Sequence, residues 1–161
     1  MKKIKLTKGF EAIVDDADYE WLNNHKWHVM KGSKYTHYAR TKIKGEIKRM
    51  HRLILELTNP KEEVDHINGN GLDNQRHNLR KATHAQNQKN KKSSGKTSQY
   101  LGVCKVIQKT PYGVYEYWNA AISLNGKNKT IGRFKDEKEA ALAYNKLASE
   151  FHGEFARLNM L

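Results

Sequence analysis

Residues 64–83 read VDHINGNGLDNQRHNLRKAT and put one acid, Asp65, directly before a histidine, His66. Glycines and amides follow, and beyond Asp73 the charged residues are basic. Two kinds of structure use such residues. One is a solvated hairpin, because Asp, Asn and Gly suit turns without any catalysis. The other is a reactive site, in which Asp65 supplies a hard oxygen, His66 an imidazole, and Asn78 and Asn87 amide side chains further along. A calcium loop of EF-hand type does not fit: with Gly71 at its sixth position, His66 falls at the first and His77 at the twelfth, where acids are required. For a structural zinc site only histidines and the single, distant Cys104 are at hand. Few charged oxygen donors suit one divalent ion, magnesium or manganese, that keeps positions open for water and phosphate. An imidazole beside it suits a general base, since its pKa lies near working pH. Asn78, accepting a hydrogen bond from one ring nitrogen of His66, would set the tautomer and leave the other nitrogen to take a proton.

Adjacent residues of a strand point to opposite faces, so Asp65 and His66 address one phosphate only from a strand end or bend. Asn68, Gly69, Asn70 and Gly71 supply turn chemistry just after the pair. Upstream, Met50, Leu53, Ile54 and Leu57 recur at helical spacing, and Asn59-Pro60 ends that helix. His51 lies beside the apolar stripe, either as a packed ring or facing the site. Downstream, HAQNQKNKK (84–92) has helix-forming composition with Thr83 as its cap. Only Ala85 in it is apolar, so a metal, a phosphate backbone or a partner has to hold it in place.

Residues 1–47 read as short strands around one small helix: FEAIV (10–14), a helix over YEWLNN capped by Asp16, then a hairpin of WHVMK (27–31) and YTHYAR (35–40) through Gly32 and Ser33. Trp21, Trp27, Tyr35 and Tyr38 form this region's small core, or alternatively stack on bases. A polar, basic linker occupies 93–98 within KKSSGKTS. From 99 to 161 the order is strand, strand, strand, helix, with Asn125-Gly126 as the second hairpin turn. Asp136 and Glu139 form a capping box, and Ala140, Ala143, Tyr144, Leu147 and Phe151 make the apolar face of the helix. The fold class expected is α+β.

Bulk properties point the same way. Apolar residues are 37% of the 161 and mean hydropathy is −0.91, which predicts several small cores and no membrane span. MKKIKLTKG has no apolar block after its lysines, so it does not read as a signal peptide, and one thiol fits an intracellular compartment, cytoplasm or nucleoid. Thirty Lys and Arg against 17 Asp and Glu give a net charge of +13, which points to a polyanion. No acid lies between Asp73 and Glu116, a stretch that holds Arg76, Arg80, Lys81, Lys89, Lys91, Lys92, Lys96, Lys105 and Lys109. Each is either a phosphate contact or ordinary surface charge.

The series V-D-H-I-N-G-N-G-L-D-N, N-L-R and N-Q-K-N resembles the HNH endonuclease motif, and MHRLIL (50–55) resembles the segment leading into it. The likeness spans 48–92 and implies a ββα-metal core that grips a DNA phosphate. It implies His66 as general base, Asp65 and Asn87 as metal ligands, and Asn78 as the central asparagine that orients the histidine. The zinc-ribbon cysteines of some relatives are absent. YLGV, YWNAAI, TIGRF and EAALAYN resemble the plant ethylene-response-factor type of DNA-binding domain, and GEFARLN fits versions of it fused to HNH nucleases. That likeness implies a three-stranded sheet in the major groove, with Lys105, Gln108, Trp118, Lys127, Lys129 and Arg133 as candidate DNA contacts. Cys104 and Ser123 stand where plant members tend to have arginine, so the plant target does not carry over. The combined expectation is a homing-type, metal-dependent endonuclease on double-stranded DNA, monomer or weak dimer, with no membrane or small-molecule substrate and compatible with a phage-borne origin. The alternative is a non-cleaving DNA-binding regulator with a vestigial nuclease core; a non-specific nuclease is a third reading.

Overall fold

Short apolar pairs set among lysines make short strands, and none of the four sheets exceeds three strands. The computed structural model describes residues 1–32, 36–90, 97–124 and 126–161. Ser33, Tyr35, Lys91, Lys92, Lys96, Asn125 and positions 93–96 of the expected linker lie outside the described residues. Two compact units result, Met1–Gln88 and Lys89–Leu161.

In the first unit, β1 (Lys2–Lys5) pairs antiparallel with β2 (Glu11–Val14), and their alternation turns Ile4, Ala12 and Val14 inward. The helix α1 (Asp16–Asn23) follows and buries Leu22. A meander of β3 (His28–Lys31), β4 (His37–Ile43) and β5 (Glu46–Arg49) leads into α2 (Met50–Ile54). The strands β6 (Glu63–His66) and β7 (Leu79–Ala82) then pair antiparallel, and α3 (His84–Lys89) completes a ββα unit. The core gathers Ile4, Leu6, Val14, Leu22, Trp27, Met50, Ile54 and Leu79.

Three local expectations need correction. Trp21 is 38% exposed rather than core, and its ring N–H donates to Asp18. Asp16 opens α1 but is not its cap; Asp15 precedes the helix, and its carboxylate is spent on a distant loop, accepting from the Arg76 N–H at 2.7 Å. The α2 helix stops at Ile54 instead of reaching Leu57, because Glu56 turns to a left-handed φ of 55°. Arg52 then gathers the connection by donating to the carbonyls of Glu62 and Asn59.

The second unit contains β8 (Val103–Thr110), β9 (Gly113–Leu124) and β10 (Lys127–Phe134), an antiparallel sheet with β9 central, packed on α4 (Glu137–His152). The α+β class and this strand-strand-strand-helix order are as the sequence predicts. Asp136 caps α4 by accepting from the N–H groups of Lys138 and Glu139. The buried face is rotated from the expected one: Ala140, Ala141, Tyr144 and Ala148 lie inside, while Phe151 is 47% exposed. Three alanines let the helix approach the sheet closely, which a larger residue at 148 would prevent. Asn159 fastens the tail: it accepts from the Leu101 N–H and donates to the Leu101 carbonyl, while exchanging a second pair of bonds with Asn145. Among the described residues no helix is long and apolar enough to cross a membrane.

Gly71 shows how tightly the first unit closes. A Cβ there would lie 2.4 Å from the His37 carbonyl oxygen and 2.5 Å from the Tyr38 ring, whose other edge faces Gly32 in the same way. Gly71→Ala therefore has to displace Tyr38. The expected loss is about 1–3 kcal/mol, read as a lower urea midpoint of the full chain; an unchanged midpoint would contradict this packing.

Candidate active site

The loop between β6 and β7 is built by its own amides. The Asn70 N–H donates to the Asn68 side chain and the Leu72 N–H to the Asn70 side chain, two successive Asx turns. Gly69 takes φ 72°, which lets its N–H return to the His66 carbonyl. Asn68 Nδ2 donates to Asp73 at 2.7 Å. Asn78 differs from its expected role. Its Oδ1 accepts from the Asn68 N–H and its Nδ2 donates to the Asp73 carbonyl, so the side chain braces the loop rather than the His66 ring.

Pairing of Asp65 with Arg80 and of Glu63 with Ala82 fixes which side chains share a face. Glu63, Asp65 and Arg80 lie on one side of the two-stranded sheet, and Val64 and His66 on the other. Asp65 is 3% exposed and accepts from Arg80 Nε at 2.8 Å and from a terminal Arg80 nitrogen at 2.5 Å. Glu63 reaches α3: one oxygen accepts from Asn87 Nδ2 at 2.7 Å, and the other meets His84 Nδ1 at 2.8 Å. The bond from Asn87, joined by those to His84, holds the Glu63 carboxyl below its ordinary range. Thr83 caps α3 as expected, in a reciprocal box with Gln86. Thus Asp65 and Asn87 lie toward the same side of β6.

On that side Asp65, held by Arg80, and Asn87 carry oxygens of the hard type that a divalent ion takes. Among the described residues no three His, Cys, Asp or Glu side chains converge on one point, so no closed all-protein cage is built. Asp65 and the Asn87 amide oxygen are two hard donors, and magnesium or manganese bound through so few protein atoms keeps waters and takes phosphate oxygens.

His66 ends β6 and turns to the core side, 5% exposed. Its ring centroid is 5.1 Å from that of His51, edge to face, and 5.8 Å from Tyr38. His51 is a packed ring, buried against Tyr38 and His66. Burial lowers the pKa of His66 from 6.5, opposed by Asn74, Asp65 and Asp73. Asn74 is wholly buried, and its amide is the first of the groups that offset burial at the His66 ring. Glu63 and Tyr38 lie outside the motif itself; for Glu63 a signal exists in its position two residues before Asp65, on the same strand face.

The basic candidates separate. Arg76 is committed to Asp18 through two bonds of 2.7 Å, and Arg80 to Asp65. Lys81 is exposed on β7, and Lys89 ends α3. In the second unit, strand register places Gln108 and Arg133 on the face away from α4, where Arg133 lies over the Tyr117 ring. Lys127 and Lys129 pair with Leu124 and Ile122, and so share the helix-side parity. Lys105 has that parity too and pairs with Glu116. Trp118 is corrected: it packs into the core with Tyr100, Val103 and Phe134.

The HNH endonuclease family matches residues 48–89. A protein of Acanthamoeba polyphaga mimivirus, named as an uncharacterized HNH endonuclease, is 33% identical over 159 residues, which cover 96% of this chain and 77% of that protein. No solved structure matches.

Burial of His51 gives this region a pH signature independent of any reaction. Burial first, then the neighbouring His66, Arg49 and Arg52, push its pKa from 6.5 down to about 3. Between these values the unfolded chain takes up a proton that the folded chain refuses, so stability falls as pH drops through that window, by up to about 1.4 kcal/mol per pH unit. His51→Phe should flatten the dependence of the urea midpoint on pH between neutrality and pH ~4. An equal slope in both proteins would show that His51 is not the group responsible.

Proposed function

The chain belongs to the HNH endonuclease family, and from that premise we propose that it is a metal-dependent, homing-type endonuclease that hydrolyses phosphodiester bonds of double-stranded DNA. Residues 48–92 act as nuclease core, 93–98 as linker and 99–161 as the DNA-binding domain that selects the site. The observation that carries this reading is the division of labour at the end of β6. Asp65 turns toward the side on which Asn87 is held, and the next residue, His66, is an imidazole kept neutral by burial.

Asp65 and Asn87 would hold one magnesium or manganese ion. When bound, it supplies positive charge at the phosphate and at the leaving 3′ oxygen. The His66 ring takes the proton of a water that attacks phosphorus in line with the scissile bond. Asn78 holds the 67–78 loop in the shape that fixes where β6 ends. In the second unit the face bearing Gln108, Tyr117, Asn119 and Arg133 is open and polar, as a DNA-reading sheet requires. The net charge of +13 supplies affinity for phosphates.

Incubation of supercoiled plasmid with the protein and magnesium should yield nicked or linear DNA, and a chelator should prevent it. His66→Ala should lower the rate by about 10²-fold or more while DNA binding persists, with an affinity that falls steeply with salt. Binding without cleavage in either magnesium or manganese would make the chain a non-cleaving regulator instead.

A further inference from the structure

The short helix α3 buries none of its side chains, so apolar packing does not dock it. Glu63 of β6 does so with two bonds, to His84 and to Asn87, which stand three residues apart and hence on one helix face. The bond to Asn87 has a second consequence. A carboxylate only accepts hydrogen bonds, so the Asn87 amide must present its NH₂ end to Glu63. Its oxygen, the one atom of the amide able to bind a cation, then points away from Glu63. Without that partner the amide could turn over and offer nitrogen, which is no ligand.

We infer that Glu63 is a positioning residue of the metal site, docking α3 on β6 and fixing the Asn87 amide with its oxygen free for the ion. This rests on the proposal that Asp65 and Asn87 are the ligands. Glu63 sits on the same strand face as Asp65, two residues earlier, so strand and helix ligands are tied together by one side chain. It acts through Asn87, as groups that orient metal ligands do.

The test is a titration of the full chain with Mn²⁺, following the electron spin resonance of the free ion, with thermal unfolding run on each variant. Glu63→Ala should weaken Mn²⁺ binding by about 10-fold or more. Glu63→Gln should stay within about threefold of the parent, because a glutamine oxygen still accepts from Asn87 while its NH₂ donates to His84 Nδ1. His84→Ala removes one tie of α3 without touching the amide and should also stay within about threefold. Equal weakening in Glu63→Ala and Glu63→Gln would assign the effect to charge, and a His84→Ala loss as large as that of Glu63→Ala would assign it to docking alone. Either result, or unaltered binding in Glu63→Ala, overturns the inference. Asp65→Asn and Asn87→Ala separate its failure from that of the site: both must weaken binding, and if neither does, the ligand assignment itself falls.

Discussion

The first unit depends on a clamp between β2 and the loop that joins β6 to β7. The Ile13 N–H donates to the Leu72 carbonyl at 2.9 Å, and the Ile13 carbonyl accepts from the Asn74 N–H at 2.8 Å. Ile13 and Asp73 thereby form a short parallel bridge. Just beyond it, Asp15 accepts from the Arg76 N–H and from the Gln75 side chain, and Asp18 takes both ends of the Arg76 guanidinium. A stretch from Ile67 to Asn78 has too few apolar side chains to pack on its own, and buried backbone groups must find partners. The β2 strand supplies them. Once the loop is pinned, Gly71 can lie against Tyr38, and Tyr38 against His51 and His66.

The same clamp redistributes charge. Several acids of this unit have partners within it: Asp15 and Asp18 on the Arg76 segment, one Asp65 oxygen on Arg80, Asp73 on Asn68, Glu63 on α3. Two arginines from the basic stretch after Asp73 are spent in these pairs. Its positive field is therefore carried by lysines such as Lys81 and Lys89. An arginine fork suits a fixed carboxylate, whereas a lysine on a flexible stem suits a phosphate whose position varies.

Patterns of short range were legible in the sequence and those of long range were not. The Asx-rich turn, the Thr83 and Asp136 caps and the strand order of the second unit follow from residues a few positions apart. The pairings of Asp15 and Asp18 with the Arg76 segment span about sixty residues and leave no local trace. Trp118 illustrates a different difficulty. On β9 the residues of both parities include aromatic and polar types, so the pattern alone does not say which row faces α4. Packing decides it: Ala120 and Ile122 are the residues that vanish from the surface, and Trp118 belongs to their row. Asn78 was legible as a site residue but not in its bonds, because a side-chain amide serves a ring nitrogen or a loop backbone equally well until the loop is folded.

Polar atoms left without a partner are the last clue to where the fold concentrates its costs. In the first unit, His51 Nδ1 is buried without a hydrogen-bond partner among the described groups, on the His66 side of β6. Each such group costs on the order of 1–3 kcal/mol, so a sequence shaped for stability alone would place apolar side chains there. Leu, Met or Phe at position 51 would extend the core formed by Met50 and Ile54. Instead the core stops at an imidazole. A wholly apolar wall would leave His66 with fewer groups to offset its burial. Around His66, Asn74, Asp65 and Asp73 favour the charged ring against burial, which outweighs them and keeps its pKa below 6.5. The Ile13 carbonyl holds the Asn74 backbone, so the clamp that pins the loop also places Asn74 in this wall.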